Sequence, residues 1–126
     1  MPRYNKSNTE ELKDFLYNSY VHDAKLESIE YDCREDNIKI ELFNPIFDVK
    51  ITLLFLNIGI TFTITGEWSK NRETIASLTA EEDFSYLQNY LLKFNQSMED
   101  SLYLLFQMFS GDELHIVSKE VIIEIV

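Results

Sequence analysis

Two runs of alternating apolar residues in the middle of the chain constrain its fold more than any other feature. No charged residue occurs between Lys50 and Glu67, a stretch of 16 residues. A membrane-spanning helix needs about 20 predominantly apolar residues, and this stretch is shorter and rich in threonine. The alternation is instead typical of β-strands with one buried face. The apolar positions are Phe47, Val49, Ile51, Leu53 and Phe55, then Ile60, Phe62 and Ile64.

The segment Asn57–Gly59 separates these two runs and predicts the turn of a β-hairpin, which we expect at the centre of a sheet. Further strands are predicted on both sides of it. A change of apolar parity between Leu26 and Ile29 predicts a β-bulge in the first of them. The predicted strands are Ala24–Asp32, Ile38–Leu42, Leu102–Phe109, Leu114–Ser118 and Val121–Ile125, and Glu73–Leu78 is a candidate for a short edge strand.

Apolar residues at helical spacing predict two helices, one over Thr9–Tyr20 and a second near residues 80–95 that begins after Thr79. Short turns between consecutive strands indicate an antiparallel meander, because parallel strands need helical crossovers. The sequence therefore predicts one α+β domain over residues 1–126, with six or seven antiparallel strands and two helices. An open sheet and a partly closed barrel both fit this pattern.

The charge balance excludes whole classes of partner. The chain of 126 residues carries 11 Lys and Arg against 22 Asp and Glu, so its net charge is −11. Nucleic-acid binding needs clustered cations for phosphate contacts, and an anionic membrane surface attracts cations as well. We therefore expect neither nucleic acid nor a membrane as a partner.

The densest acidic region of the C-terminal half runs from Glu81 to Glu113, with seven carboxylates and one lysine. One interpretation is a solvated face with helix-dipole pairing. The other is a docking surface for a basic protein, in which nearby tyrosines such as Tyr103 serve as anchors. The predicted partner-binding residues are Glu81, Glu82, Asp83, Tyr86, Tyr90, Glu99 and Asp100.

The only two histidines define an alternative site. His22 precedes Asp23, and a histidine beside a carboxylate can act as a general base or a metal ligand. Adjacent residues on a strand point to opposite faces, which favours a structural role for this pair at a helix–strand junction. His115 lies in a predicted strand, where we expect it to face outwards. A ligand site would require His22, Asp23 and His115 to converge.

The remaining motifs give no sign of catalysis. The single cysteine, Cys33, excludes an intramolecular disulfide and is expected to be an inert thiol in a turn. A free thiol favours the cytoplasm, and the polar N-terminus has no signal-peptide pattern. Only three glycines occur, and no phosphate loop, nucleophile elbow or metal-ligand pair is visible. No catalytic residue, metal or cofactor is predicted.

The run from Tyr20 to Tyr31, with His22-Asp23-Ala24 within it, and the segment from Ser110 to Ile116 carry a resemblance to known proteins. They resemble small acidic bacterial proteins that open with a His-Asp-Ser/Ala motif. Some of those proteins are immunity proteins that neutralise polymorphic toxins. The resemblance implies a cytoplasmic protein that binds a partner without catalysis, and it assigns no active residue.

The function that these observations favour is a non-enzymatic protein-binding module, of immunity type, whose acidic face masks a basic partner such as a toxin. Two alternatives stay open. One is a small enzyme or ligand-binding protein that uses His22, Asp23 and His115. The other is a structural homodimer that pairs through an edge strand at Glu73–Leu78.

Overall fold

A computed structural model describes residues 2–17, 20–65, 75–81, 101–108 and 113–126. Within these residues the chain forms an antiparallel sheet of seven strands and an N-terminal α-helix, as predicted. The elements are β1 (Arg3–Asn5), α1 (Thr9–Tyr17), β2 (Lys25–Asp32), β3 (Asn37–Asn44), β4 (Val49–Thr65), β5 (Ile75–Glu81), β6 (Leu102–Met108) and β7 (Glu113–Ile125).

The strand order is β2-β3-β4-β7-β6-β5, and β1 pairs with β7. Strands β2 to β4 form one meander and strands β5 to β7 form another, and the pairing of β4 with β7 joins them. A single meander was expected, so that part of the prediction is wrong. The two meanders can pair because these two strands are long: β4 has 17 residues and β7 has 13. Each can therefore pair with strands of both meanders.

The predicted hairpin at Asn57–Gly59 is wrong, because the chain does not reverse there. Both runs belong to β4, which pairs with β3 over Val49–Leu56 and with β7 over Ile51–Thr65. Asn57 takes a left-handed backbone with φ 56°, and the register with β7 shifts between Ile58 and Ile60. The Asn/Gly segment therefore makes a bulge, which bends a strand instead of ending it.

The two predicted C-terminal strands are one strand, β7, which continues through residues 118–120. The bulge predicted in β2 is confirmed, since the register with β3 shifts between Leu26 and Ser28.

The first helix is confirmed but ends at Tyr17, and Tyr20 lies in the turn that follows. Its buried side chains include Leu12 and Leu16. The predicted start of the second helix is wrong, because Thr79 and Glu81 lie within strand β5. The rest of that predicted helix lies outside the described residues. Among the residues that the structure describes, no helix is both long and apolar enough to cross a membrane.

The main apolar core lies on one face of the curled sheet, and part of β7 is buried on the opposite face as well. Phe55 of β4 and Phe106 of β6 are fully buried, and their ring centroids lie 6.3 Å apart with the rings edge to face. At one corner the backbone N–H of Asp23 donates to the carbonyl of Ile75 at 3.0 Å, and Ile75 N–H donates to Ala24 at 2.9 Å. Strands β2 and β5 do not otherwise pair, so the described part of the sheet is not closed into a barrel.

Candidate functional site

The structure describes one residue of the predicted acidic face. Glu81 is half-buried at the end of β5, opposite Tyr103 of β6. Tyr103 is buried, so it cannot be a surface anchor, and that expectation is wrong. The other predicted partner-binding residues lie outside the described residues, and their role stays a prediction. They are Glu82, Asp83, Tyr86, Tyr90, Glu99 and Asp100.

His22 and Asp23 lie at the junction between α1 and β2, as the structural interpretation predicted. Asp23 has a left-handed backbone with φ 67° and an exposed side chain. The side-chain amide of Asn44 donates to the carbonyl of His22 at 3.3 Å. The half-buried His22 also lines a groove of about 450 Å³ between α1 and β5, together with Lys13 and Glu81.

His115 is fully buried on β7, so the prediction of an outward side chain is wrong. Strand alternation assigns side chains to two faces but does not say which face meets water, and here Leu114 and Ile116 are buried as well. The His115 ring stacks on Tyr103, with centroids 5.6 Å apart, and the Tyr103 hydroxyl forms a hydrogen bond with His115 Nδ1. Burial lowers the pKa of His115, while the carboxylates of Glu113 and Glu81 oppose that shift.

The two histidines occupy different environments, although Glu81 lies near both. It lines the groove with His22, and its charge acts on the pKa of His115. In the part of the chain that the structure describes, no three His, Cys, Asp or Glu side chains are grouped as metal ligands would be.

A second acidic surface lies at the far end of the β2–β3 hairpin, and its residues are not among the site residues predicted from the sequence. The segment Glu27–Asp36, which we call the acidic tip, holds five carboxylates and one cation in ten residues. Ser28 and Asp36 are half-buried, and the other eight residues are exposed. This charge density could have been found by counting charges in short windows around each predicted turn.

The acidic tip also exposes apolar surface. Ile29 and Tyr31 pair across the ladder with Ile40 and Ile38, which are buried in the core. They therefore lie on the core face of the sheet, yet 38% of Ile29 and 60% of Tyr31 is exposed. Strand β2 ends the sheet at this side, so the core does not extend far enough to cover these two side chains.

Local hydrogen bonds order the turn of the acidic tip. Asp32 Oδ1 accepts from the backbone N–H groups of Arg34, at 3.0 Å, and Glu35, at 3.3 Å. The Tyr31 hydroxyl donates to Asp36 Oδ1 at 3.2 Å, and partial desolvation together with this carboxylate raises the pKa of Tyr31. Cys33 is a free, exposed thiol in this turn, which confirms its predicted position.

A groove of about 510 Å³ runs beside the acidic tip on the face of the sheet opposite the core. It meets a second groove of about 530 Å³, and both are lined by Lys39 and Leu54. Glu41 lies 3.1 Å from Lys39 Nζ and 3.7 Å from Lys50 Nζ. The hydrogen bond from Lys39 and the charges of both lysines lower the pKa of Glu41. Each groove is lined by two carboxylates and two cationic side chains, so the charged side chains of each lining balance. The carboxylates of the tip that lie outside the grooves are Glu27, Glu35 and Asp36.

No protein-family model and no curated protein matches this chain.

Proposed function

We propose that this chain is a non-enzymatic protein-binding module that masks a basic partner protein, and that the acidic tip is part of its binding surface. The observation that supports this most strongly is the concentration of five exposed or half-exposed carboxylates around two exposed apolar side chains. Glu81 and the other predicted partner-binding residues of the C-terminal half stay a separate candidate surface.

The negative charge of the protein supports the proposal that its partner is basic. The net charge of −11 gives the whole molecule a negative field, and the acidic tip concentrates four net negative charges in ten residues. Such a surface raises the association rate of a cationic protein, and salt weakens the effect because the Debye length is only about 8–10 Å at 0.1–0.15 M.

The exposed tyrosine supports a protein as the partner. Tyrosine is enriched among the residues that dominate interface energies, because a large ring can be buried while its hydroxyl keeps a hydrogen bond. Tyr31 has this arrangement, with its hydroxyl on Asp36 and more than half of its surface exposed. Ile29 lies two residues away on the same face and adds apolar contact area.

The mechanism of masking would be steric and electrostatic, without a chemical step. This fits the resemblance to immunity proteins, which neutralise toxins by binding them. We place the protein in the cytoplasm, because its one cysteine is an exposed free thiol and reducing compartments keep thiols in that state.

A matched pair of variants tests the proposal. Glu27, Glu30 and Glu35 become glutamine in the tip variant. Glu10, Glu11 and Glu124, which are exposed elsewhere, become glutamine in the control. Both variants have the same net charge. Wild type is used to capture a partner from the host extract, and the purified partner is then titrated against all three proteins.

We expect the captured partner to be basic. Its association rate should fall roughly three- to tenfold for the tip variant and less than about twofold for the control, because steering depends on charge near the interface. Raising salt should reduce the wild-type rate to that of the tip variant. Equal losses in both variants, or an affinity that does not change with salt, would contradict the proposal.

A second candidate function is small-ligand binding or catalysis at the groove between α1 and β5. Its volume of about 450 Å³ is within the range of about 300–1,000 Å³ typical of ligand sites, and it places His22 with Lys13 and Glu81. Elemental analysis of the purified protein and a comparison of His22→Ala with wild type test this candidate. Bound zinc, or a ligand released on denaturation that the variant lacks, would favour it.

A further inference from the structure

We infer that the partner adds an extended, basic segment to the sheet as a new strand beside β2. This rests on the proposed function and names its mode of binding. Strand β2 lies at one end of the sheet. It pairs with β3 on one side, and no described strand pairs with its other side. We call that other side, along Ser28–Asp32, the open edge. An edge strand presents unpaired N–H and C=O groups that an extended peptide can use.

Strand β5, at the opposite end of the sheet, has less room for an added strand. Both backbone groups of Ile75, at the start of β5, already bond to Asp23 and Ala24, and α1 packs against β5. In β2, by contrast, the four residues Ile29–Asp32 are exposed on both faces of the strand. The open edge is therefore the described edge with the most room for an added strand.

Side-chain alternation along β2 specifies the occupant. Ile29 and Tyr31 lie on the core face of β2, and Glu30 and Asp32 lie on the opposite face. Both carboxylates line the groove of about 510 Å³, as do Tyr31, Arg34 and Lys39. A strand paired with β2 would place every second side chain beside an apolar residue and the others beside a carboxylate. Alternating apolar and cationic residues match both faces.

Charge argues against a second copy of this chain as the occupant. The strand from Glu27 to Asp32 has three carboxylates and no cation. Two copies paired edge to edge would bring six carboxylates together, and like charges on adjacent strands are destabilising. The bulge between Leu26 and Ser28 also interrupts regular pairing at one end of the open edge.

The test uses the full chain and an eight-residue peptide of alternating lysine and valine. Two control peptides accompany it, one with glutamate in place of lysine and one with every backbone amide N-methylated. The N-methylated peptide keeps the charges but cannot donate to a ladder. Affinity is measured by titration, and amide hydrogen exchange of β2 is measured by NMR with and without peptide.

We expect the lysine–valine peptide to bind at least ten times more tightly than either control. Alternate amides of Ser28–Asp32, those that do not already bond to β3, should exchange at least ten times more slowly in the complex. Tyr31→Ala should weaken binding several-fold, whereas Tyr17→Ala, at an exposed tyrosine on α1, should leave it unchanged.

Three results would overturn strand addition. The first is equal binding of the N-methylated peptide with no new amide protection. The second is failure of the lysine–valine peptide to bind while the captured basic protein does. The third is a concentration-dependent dimer in which the same amides are protected before peptide is added. Each leaves the proposed function standing, because that proposal is tested separately by the tip and control variants and by the salt dependence of binding to the captured partner.

Discussion

Replacing Phe55 by alanine tests whether the two meanders share one core. Phe55 is fully buried on β4 and contacts Phe106 of β6, although β7 lies between these strands in the sheet. Removing a buried phenylalanine ring costs about 3–5 kcal/mol, of which the aromatic contact supplies about 0.5–1.5 kcal/mol. With an unfolding entropy of about 2.1 cal/mol/K per residue, this loss lowers Tm by roughly 10–20 °C.

Urea unfolding followed by far-UV circular dichroism measures the change in free energy. Phe47→Ala is the control, because 60% of Phe47 is exposed and its loss should cost less than about 1 kcal/mol. A double-mutant cycle with Phe55→Leu and Phe106→Leu isolates the ring contact, for which we expect a coupling of about 0.5–1.5 kcal/mol. A coupling of zero would refute the shared core, because the two rings could not then meet across the curled sheet.

Three further predictions concern single residues. Asn57→Val should cost about 1–2 kcal/mol because valine resists the left-handed backbone, whereas Thr52→Val in the regular part of β4 should cost less than about 0.5 kcal/mol, both by urea unfolding. Because burial lowers the pKa of His115, the unfolded chain binds more protons. Stability should therefore fall as pH drops below about 6.5, with a slope of up to about 1.4 kcal/mol per pH unit that His115→Gln removes. Glu41→Gln should cost less than about 1 kcal/mol at pH 7, and the contribution of Glu41 should disappear as pH falls below about 4.5, because Lys39 lowers its folded pKa.

Periodicity predicted the strands well because it reports burial directly. Ile38, Ile40 and Leu42 alternate in the sequence and are all buried on β3. What periodicity could not distinguish was a bulge from a turn at Asn57, because a left-handed Asn followed by Gly is compatible with both. The choice between a bulge and a turn depends on β7, which is distant in sequence and long enough to pair with β4 on both sides of Asn57. Pairing between residues far apart in sequence is not encoded locally.

The surroundings of His115 and of the acidic tip were harder to predict, because they too depend on how strands that are distant in sequence assemble into the sheet. His115 was expected at the surface because it alternates with apolar neighbours, but strand β7 is buried on both faces at that position. Most of the acidic tip lies in the predicted strand Ala24–Asp32, and its charges are visible in the sequence. What gives it significance is the exposure of Ile29 and Tyr31 beside the carboxylates, which depends on where the sheet ends.

The buried residues that stabilise this fold and the charged residues of the acidic tip lie in different parts of the sheet. Strands β4 and β7 hold fully buried side chains, including Leu53, Phe55 and Ile123, whereas the acidic tip contributes little to the core. Substitutions at exposed positions usually change stability by no more than about 0.5 kcal/mol, so the tip can vary in sequence while the sheet stays intact. The tip carries five carboxylates and one cation in ten residues, so it has a net charge of −4. A cationic strand bound at the open edge would place positive charge beside these carboxylates and, because it binds only the folded chain, would stabilise the fold.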